Sequence, residues 1–525
     1  MASETLDVVI IGAGISGICA AYYLQRENPK ASFVVLERRA QLGGTWDLFR
    51  YLGIRSDSDM YTFGFPFRRW TSDSKYGNGP DIVEYMNDTV AEFGIDKHVR
   101  YCQSVTRAAW DDQDRRWRLT VGQTHDEHTG VKPGVRPDPR APAVVPGTEQ
   151  TIVAQHIILC TGYYSYTDPY WPTFPNQEAF KGEIIHPQFW DPTFDYKGKS
   201  VAVIGSGATA ITLVPNLARE AAKVYMVQRT PSYIAPLPGR SPIYDFVHKW
   251  LWFVPVFVAS WLIRWLHVLE SWLLFHVARR RPEHFKKEVF GGIKMVLGKD
   301  YDEFKPHFTP SYQPWDQRVC VAPQGDIFLA LKSRKVEIVT DSIQQFTAHG
   351  IRLGSGRELK ADIIVPATGL SLQFRGGIEI VVNGKTMTPT EFLSYRGVMF
   401  NNVPNLFAIA GYFNASWSMK ASLIAEYAAK TIRYMANQKL DSVTPRAPPA
   451  VLAESGSALG HFTSGYLQRG EAQIPRHSKA HPWRVHQNYM LDLYALRWAS
   501  KRGPDLEFTS TKDQPASASV KAKTA

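Results

Sequence analysis

At 525 residues the chain is too long for one ordinary hydrophobic core, so its length predicts more than one domain. An apolar content of 44% and a charged content of 21% are typical of a globular protein and exclude a disordered one. The net charge of +11 is spread along the chain without a basic stripe interleaved with aromatics, which argues against nucleic-acid binding and favours an anionic cofactor or a membrane surface.

The cysteines are far apart and form no C-x-x-C pair: Cys19, Cys102, Cys160 and Cys320. Neither a disulfide framework nor a metal site such as zinc is therefore predicted. The N-terminus leads directly into a strand-like run and lacks the basic, apolar and small-residue regions of a signal peptide. We expect a cytoplasmic protein.

The first apolar run, Asp7 to Ile11, is typical of a buried parallel strand. Three glycines follow it at the spacing of a dinucleotide-binding turn: Gly12, Gly14 and Gly17. They allow a tight turn, a close approach of the backbone to a pyrophosphate, and close packing of a helix over Ile15 to Glu27. The next strand, Ser32 to Leu36, ends at Glu37, where an acid can bond ribose hydroxyls. The sequence therefore predicts a first dinucleotide site.

A stretch between this motif and a second glycine-rich one reads F-x-G-x-x-x-H-x-x-x-W-D. Its defining residues are Phe180, Gly182, His186, Trp190 and Asp191. The stretch resembles the fingerprint of the Baeyer-Villiger monooxygenases, flavoenzymes that insert one oxygen atom of O2 next to a carbonyl. The related N- and S-oxygenating flavin monooxygenases carry another aromatic at the tryptophan position and lack the acid. Lying between two nucleotide motifs, the stretch is interpreted as a hinge; the alternative is a bend, a capping histidine and an anchoring tryptophan.

The second nucleotide unit begins with the strand Ser200 to Ile204. Its glycine-rich motif contains Gly205, Gly207, Thr209 and Ala210. The following strand, Val224 to Val227, leads to Arg229 and Thr230 and not to an acid. A carboxylate there would repel a 2'-phosphate, whereas an arginine can form two hydrogen bonds to one. This favours NADPH at the second site and FAD at the first, unless Arg229 is only a solvated surface residue.

The resemblance implies further site residues. A G-G-T-W segment lies against the flavin in this family, and here it contributes Gly44, Thr45 and Trp46. Arg318 matches the catalytic arginine, and Asp57 matches the aspartate that positions it, with Asp59 as the alternative. A helix from about Ser416 to Met435 matches the third flavin segment.

The chain departs from the family pattern at two positions. Leu52 stands where the family has proline, which leaves loop mobility and substrate choice open. Gln317 stands where lysine is frequent, which weakens the argument for NADPH. Within the family, the runs around Asp57 and Trp417 look like the branch that contains the bacterial thioamide-drug-activating monooxygenase.

The resulting fold prediction is an α/β protein with two Rossmann-like dinucleotide-binding domains and a helical insertion in the second. We place a discontinuous FAD-binding domain at 1–160 and 370–504, and an NADPH-binding domain at 161–369 with the insertion at about 240–310. The polar tail, 505–525, is predicted to be disordered.

The run from Trp250 to Val277 is strongly apolar and is followed by Arg279, Arg280 and Arg281. It is compatible with a buried helical subdomain, with an interfacial helix that makes a peripheral membrane contact through 250–281, or with a membrane span. The sequence leaves these alternatives open.

The resemblance implies an NADPH- and FAD-dependent enzyme that uses O2 to convert ketones into esters or lactones, with sulfides as further substrates. Arg318 would stabilise developing negative charge on oxygen. Three alternatives remain: preferential S- or N-oxygenation, a flavin reductase that releases peroxide, and a slow membrane-attached redox sensor. A dithiol reductase is disfavoured because no close cysteine pair exists.

Overall fold

The structure is a computed structural model that describes residues 3–124, 144–460, 462–498, 503 and 505–510. Within these residues, the largest sheet has nine strands. They are Glu4–Ile11, Phe33–Leu36, Val99–Arg100, Gln103–Asp111, Arg116–Gln123, Gln150–Leu159, Glu379–Val382, Lys385–Thr386 and Leu406–Ala408. We call this the first sheet.

A second sheet has five strands in the described part of the chain. In spatial order they are Val336–Thr340, Lys223–Gln228, Ser200–Ile204, Ile363–Pro366 and Glu183–Ile184, and every pairing among them is parallel. Strands of the first sheet thus come from both sides, in sequence, of those that form the second sheet. The two-domain α/β prediction is confirmed, while the boundaries placed at 160 and 369 stay predictions.

Both sheets are covered on two faces, and the first strand shows how the sequence achieves this. Val8 and Ile10 pack in one core with the helix Ile15–Glu27, whereas Val9 and Ile11 pack in another core with Trp117. Neighbouring side chains on a strand point to opposite faces, so a continuous apolar run fits a strand that is buried on both sides. The strand predicted from Asp7 begins earlier, at Glu4, and the predicted helix has the expected bounds.

Fourteen α-helices lie in the described residues. They are Ile15–Glu27, Thr45–Leu48, Met60–Phe63, Gly79–Glu92, Ala208–Leu217, Pro242–Trp250, Val256–Arg280, Pro282–Leu297, Tyr301–Phe304, Asp326–Lys332, Trp417–Gln438, Pro449–Ala453, Gly465–Arg469 and Tyr489–Leu493. The helices between 242 and 304 fall in the segment predicted as an insertion. No helix in the described ranges is long and apolar enough to cross a membrane.

The smaller sheets are two- or three-stranded. Their strands are Ile234–Leu237 with Cys320–Pro323; Ile343–Thr347 with Gly350–Leu353 and Glu358–Lys360; Ser394–Tyr395 with Met399–Phe400; Ser442–Pro445 with Leu506–Thr509; and Gly456–Ser457 with Arg476–His477.

The prediction of a disordered tail over 505–525 requires a correction. Leu506–Thr509 pairs antiparallel with Ser442–Pro445, so this part of the tail predicted as disordered is a strand. Its backbone groups find partners in the neighbouring strand, which composition alone does not reveal. Residues 511–525 lie outside the described residues.

Candidate active site

One cavity of about 700 Å³ lies at the carboxyl ends of parallel strands from both sheets. The strands Glu4–Ile11 and Ser200–Ile204 lead into it at Gly12 and Gly205. Such crevices are where open α/β sheets bind their ligands. The two predicted nucleotide motifs thus face a common space although they are far apart in sequence.

Most of the predicted site residues line this cavity. Those that do are Gly12, Gly14, Glu37, Gly44, Thr45, Trp46, Asp57, Gly205, Gly207, Thr209, Arg229, Thr230 and Arg318. Those that do not are Gly17, Ala210, Phe180, Gly182, His186, Trp190 and Asp191. The second group comprises two residues of the nucleotide helices and the whole fingerprint.

The turn after the first strand has room only for glycine. A Cβ on Gly12 would lie 2.6 Å from the carbonyl oxygen of Cys160, and a Cβ on Gly17 would lie 1.8 Å from that of Gly12. The helix that follows begins at Ile15 and has no side-chain cap at Gly14. Its first N–H groups therefore remain available to an anion, and this arrangement fits the pyrophosphate of a dinucleotide.

Glu37 is buried at the edge of this turn. Its carboxylate accepts hydrogen bonds from the N–H groups of Ala13, at 2.7 Å, and Arg39, at 2.9 Å. Burial raises the pKa of Glu37, and the two N–H donors oppose that shift. The carboxylate is thus fixed in position beside the cavity, where it can accept hydroxyl donors.

The second turn repeats this arrangement. A Cβ on Gly205 would lie 2.3 Å from the carbonyl oxygen of Ala367, and the helix Ala208–Leu217 has no side-chain cap at Gly207. Arg229 and Thr230 are exposed at the cavity, and Arg229 makes no ion pair within the residues that the structure describes. This cationic side chain suits a phosphate group. Gln317 lines the same cavity and adds no charge.

Arg318 and Asp57 form an ion pair, with Nη2 of the arginine 2.8 Å from Oδ1 of the aspartate. The Asp57 carboxylate raises the pKa of Arg318 further above its ordinary value, so the guanidinium is always charged. Asp59, the alternative partner, is occupied elsewhere: it accepts hydrogen bonds from the N–H of Thr62 at 2.8 Å and from its hydroxyl at 2.7 Å. It therefore caps the helix Met60–Phe63.

Three tyrosines near Arg318 were not predicted from the sequence. The hydroxyl oxygens of Tyr163 and Tyr164 lie 2.6 Å apart, and both residues line the cavity with Tyr466. Burial raises the pKa of each tyrosine, and the positive charge of Arg318 opposes that shift. They are neutral hydroxyl groups at neutral pH. Tyr163 and Tyr164 follow the end of the apolar strand Gln150–Leu159, a signal that could have found them. Tyr466 had no comparable signal.

The loop around Leu52 contacts the part of the molecule that contains the second nucleotide turn. Tyr51 lines the cavity together with Thr209 of the second nucleotide helix. Burial raises the pKa of Tyr51 to about 12. Leu52 packs against the core that contains Val201 and Val203. The side chain that replaces the family proline therefore contacts the second sheet's core.

The segment around Trp417 contributes from a third part of the chain. Trp417 lines the cavity, stacks on Tyr163 with ring centroids 5.1 Å apart, and donates from Nε1 to the hydroxyl of Ser16 at 2.9 Å. The helix that it begins, Trp417–Gln438, has no side-chain cap at Ser416. The helix predicted from about Ser416 is thus present, and its N-terminus lies at the cavity.

The fingerprint stretch packs around the second sheet. Phe180 and Trp190 are buried in separate cores, and a Cβ on Gly182 would lie 2.2 Å from the carbonyl oxygen of Asp362. His186 caps a short helical turn by accepting from the N–H of Gln188, and its Nε2 lies 3.1 Å from the carbonyl oxygen of Tyr170. These contacts match the alternative of a bend, a cap and an anchor.

Asp191 is exposed and accepts hydrogen bonds from the N–H and hydroxyl of Thr193, at 2.8 and 2.7 Å. Gln188, one turn earlier, donates to the carbonyl oxygens of Ser165 and Tyr166, which belong to the segment that leaves the first sheet. The stretch thus contacts the crossing between the sheets, and its hinge role stays a prediction.

Comparison with known proteins links these features to a family. Residues 10–86 match the model of an NAD(P)-binding Rossmann-like domain, and residues 143–251 match that of flavin-binding monooxygenase-like proteins. The chain is 42% identical over 496 residues to the FAD-containing monooxygenase EthA of Mycobacterium tuberculosis, covering 94% of this chain and 96% of that protein. It is 40% identical over 509 residues to the probable FAD-binding monooxygenase AlmA of Acinetobacter baylyi, covering 97% of each.

Solved structures share the fold. A cyclohexanone monooxygenase from Rhodococcus sp. Phi1 bound to NADP+ superimposes with a TM-score of 0.70 at 20% identity, covering 97% of this chain and 100% of that one. A complex of OTEMO with FAD and NADP superimposes with a TM-score of 0.63 at 22% identity, covering 85% of this chain and 88% of that one.

Proposed function

Because the chain belongs to the family of FAD-containing monooxygenases that includes EthA, we propose that it uses FAD, NADPH and O2 to insert one oxygen atom into ketones, giving esters or lactones. The observation that carries this proposal is the Arg318–Asp57 ion pair at a cavity that both nucleotide turns line. The balanced reaction takes ketone, O2, NADPH and a proton to ester, NADP+ and water.

Each cofactor has residues suited to it. FAD would be held by the turn from Gly12 to Gly17, with Glu37 accepting hydrogen bonds from the ribose. NADPH would be held by the second turn, with Arg229 and Thr230 at the 2'-phosphate. The chemistry that FAD supplies when bound is the reduction of O2 with electrons from NADPH, so that one oxygen atom reaches the substrate.

The protein's own contribution is mainly electrostatic. Arg318 places a permanent positive charge where negative charge develops on oxygen, and Asp57 fixes the orientation of the guanidinium. Tyr163, Tyr164 and Tyr466 surround this pair as neutral hydroxyl groups, which can donate a hydrogen bond to a carbonyl oxygen without adding charge. Trp46 and Trp417, which also line the cavity, reduce its contact with water.

A substrate panel tests the proposal. The FAD-loaded protein is incubated with NADPH and with linear ketones, cyclic ketones or sulfides under labelled O2, and the products are identified by mass spectrometry. We expect ketone-stimulated NADPH consumption matched by an ester or lactone that carries one labelled oxygen atom. Sulfoxides formed without esters would favour S-oxygenation. NADPH consumption matched by hydrogen peroxide alone, across the panel, would show a flavin reductase and refute the proposal.

Two arginine variants provide the controls for this experiment. Arg318→Ala should lower the rate of ester formation by about 100-fold or more and leave FAD bound, because the residue lies outside the first nucleotide turn. Arg229→Ala should retain the ester product when the NADPH concentration is raised. If neither variant loses the ester product, the Arg318–Asp57 ion pair does not take part in oxygen transfer.

A further inference from the structure

A group of large apolar side chains stands exposed where two helices of the inserted segment meet. The helix Pro242–Trp250 ends there and the helix Val256–Arg280 begins. The group, which we call the apolar tip, comprises Phe246, Trp250, Trp252, Phe253, Val256, Phe257 and Trp261. Trp252 is 80% exposed and Phe257 is 76% exposed. Contiguous apolar exposure of this kind marks an interaction surface.

The tip is held firmly by the residues behind it. Val247, Ala259 and Ile263 pack with Tyr61 in a small core. The guanidinium of Arg264 donates to the carbonyl oxygens of Tyr61 and Gly64, each at 2.9 Å. The exposure of the tip is therefore a property of a packed structure and not of a frayed end.

The first helix of the tip is also anchored. The hydroxyl of Ser241 caps it by accepting from the N–H of Tyr244 at 3.1 Å, and the same hydroxyl lies 2.8 Å from Nε2 of the buried His267 on the second helix. The start of the first helix is thus tied to the middle of the second.

The longest stretches that the structure does not describe lack the large apolar side chains that could cover the tip. The two longest stretches outside the described residues, 125–143 and 511–525, contain no Phe, Trp, Tyr, Leu, Ile or Met. The occupant must come from outside, and the charge around the tip indicates its nature. From Phe246 to Leu269 the sequence has no acidic residue, and Nζ of Lys249 lies 5.3 Å from the ring of Trp250.

We propose that the apolar tip docks this protein on the surface of an anionic lipid bilayer. Indole and phenyl rings next to a lysine are suited to the boundary between headgroups and acyl chains, where a bilayer has both negative charge and apolar depth. An indole that is 80% exposed would need a matching pocket in a protein partner, whereas fluid lipid surrounds it without one.

This docking goes beyond the proposed oxygenation, since lipid binding needs no turnover. The FAD-loaded protein is sedimented with vesicles of phosphatidylcholine alone or with about one-third phosphatidylserine. We compare the parent with Trp252→Ser/Phe257→Ser and with the matched control Met295→Ser/Leu329→Ser, whose residues are also exposed but lie on other helices.

We expect the parent to bind the anionic vesicles, with weaker binding at high salt because surface charges are screened. The tip variant should bind on the order of 100-fold more weakly, about tenfold for each aromatic ring withdrawn from the lipid. The control pair should bind like the parent. Retained flavin absorbance in both variants establishes that they are folded.

Three results would overturn the proposal. The first is a parent that does not bind anionic vesicles, and the second is a tip variant and a control that bind equally well. The third is light scattering that shows a parent dimer converted to a monomer by the tip substitutions without any vesicle binding, because the tip would then be covered by a second copy of the chain.

Discussion

The Arg318–Asp57 pair supports a double-mutant cycle with defined magnitudes. Removing the guanidinium in Arg318→Ala should cost about 3 kcal/mol, or 100-fold or more in the rate of oxygen transfer, which is typical of losing one such donor. Two unit charges about 4 Å apart interact by about 4 kcal/mol at an effective dielectric constant of 20. The two side chains are 36% and 23% exposed, so solvent screens much of this energy. We therefore expect Asp57→Asn to cost about 1 to 2 kcal/mol, or roughly 5- to 30-fold.

The assay separates reduction from oxygen transfer. Stopped-flow absorbance follows flavin reduction by NADPH, and product analysis follows ester formation. If Asp57 acts only by orienting Arg318, then adding Asp57→Asn to Arg318→Ala should change the ester rate by less than about twofold. The matched control is Asp59→Asn, because that carboxylate caps a helix and does not contact the arginine. Equal losses for the two asparagine variants, or fully multiplicative losses in the double variant, would refute the orienting role.

Further predictions concern cofactors and stability. Arg229→Ala should raise the KM for NADPH by about tenfold or more and leave that for NADH nearly unchanged, because only NADPH has the phosphate; equal changes in steady-state kinetics would contradict this. Gly17→Ala should prevent FAD retention on a desalting column, since its Cβ would lie 1.8 Å from the carbonyl oxygen of Gly12. Burial lowers the pKa of His186 to about 4 and that of His156 to about 3. Below pH of about 6.5 the unfolded chain therefore binds more protons than the folded one, and the free energy of unfolding should fall as the pH drops towards 4. Denaturant titrations of His156→Gln should show a smaller fall.

The sequence predicts those parts of the site that depend on local geometry. The strand that ends at Ile11 is recognisable from its continuous apolar run, and the turn after it is recognisable from its closely spaced glycines. Each signal lies within a few residues of the sequence. The helix Ile15–Glu27 follows from the same pattern. Arg318 and Asp57 could be paired only by resemblance, because they are 261 positions apart and no local signal of contact links them.

Other features depend on contacts that no local pattern contains. Tyr466 reaches the cavity from a short helix near the end of the chain. Leu506–Thr509 is a strand because Ser442–Pro445 supplies its partner, although its neighbours in sequence are polar. The apolar tip shows the opposite case: its composition suggests burial, and only the packed structure reveals that the apolar side chains face outwards.

The fingerprint separates family recognition from chemistry. Phe180 and Trp190 are buried in separate cores that include residues of the second sheet, and a Cβ on Gly182 would clash with the carbonyl oxygen of Asp362. These positions are therefore constrained by packing around the second sheet. None of the fingerprint residues lines the cavity. Under the proposed function, a chain could therefore keep the whole fingerprint and still lose oxygen transfer through a single change at Arg318. In this chain the proposed activity depends on the residues at the cavity, whereas the fingerprint residues pack around the second sheet.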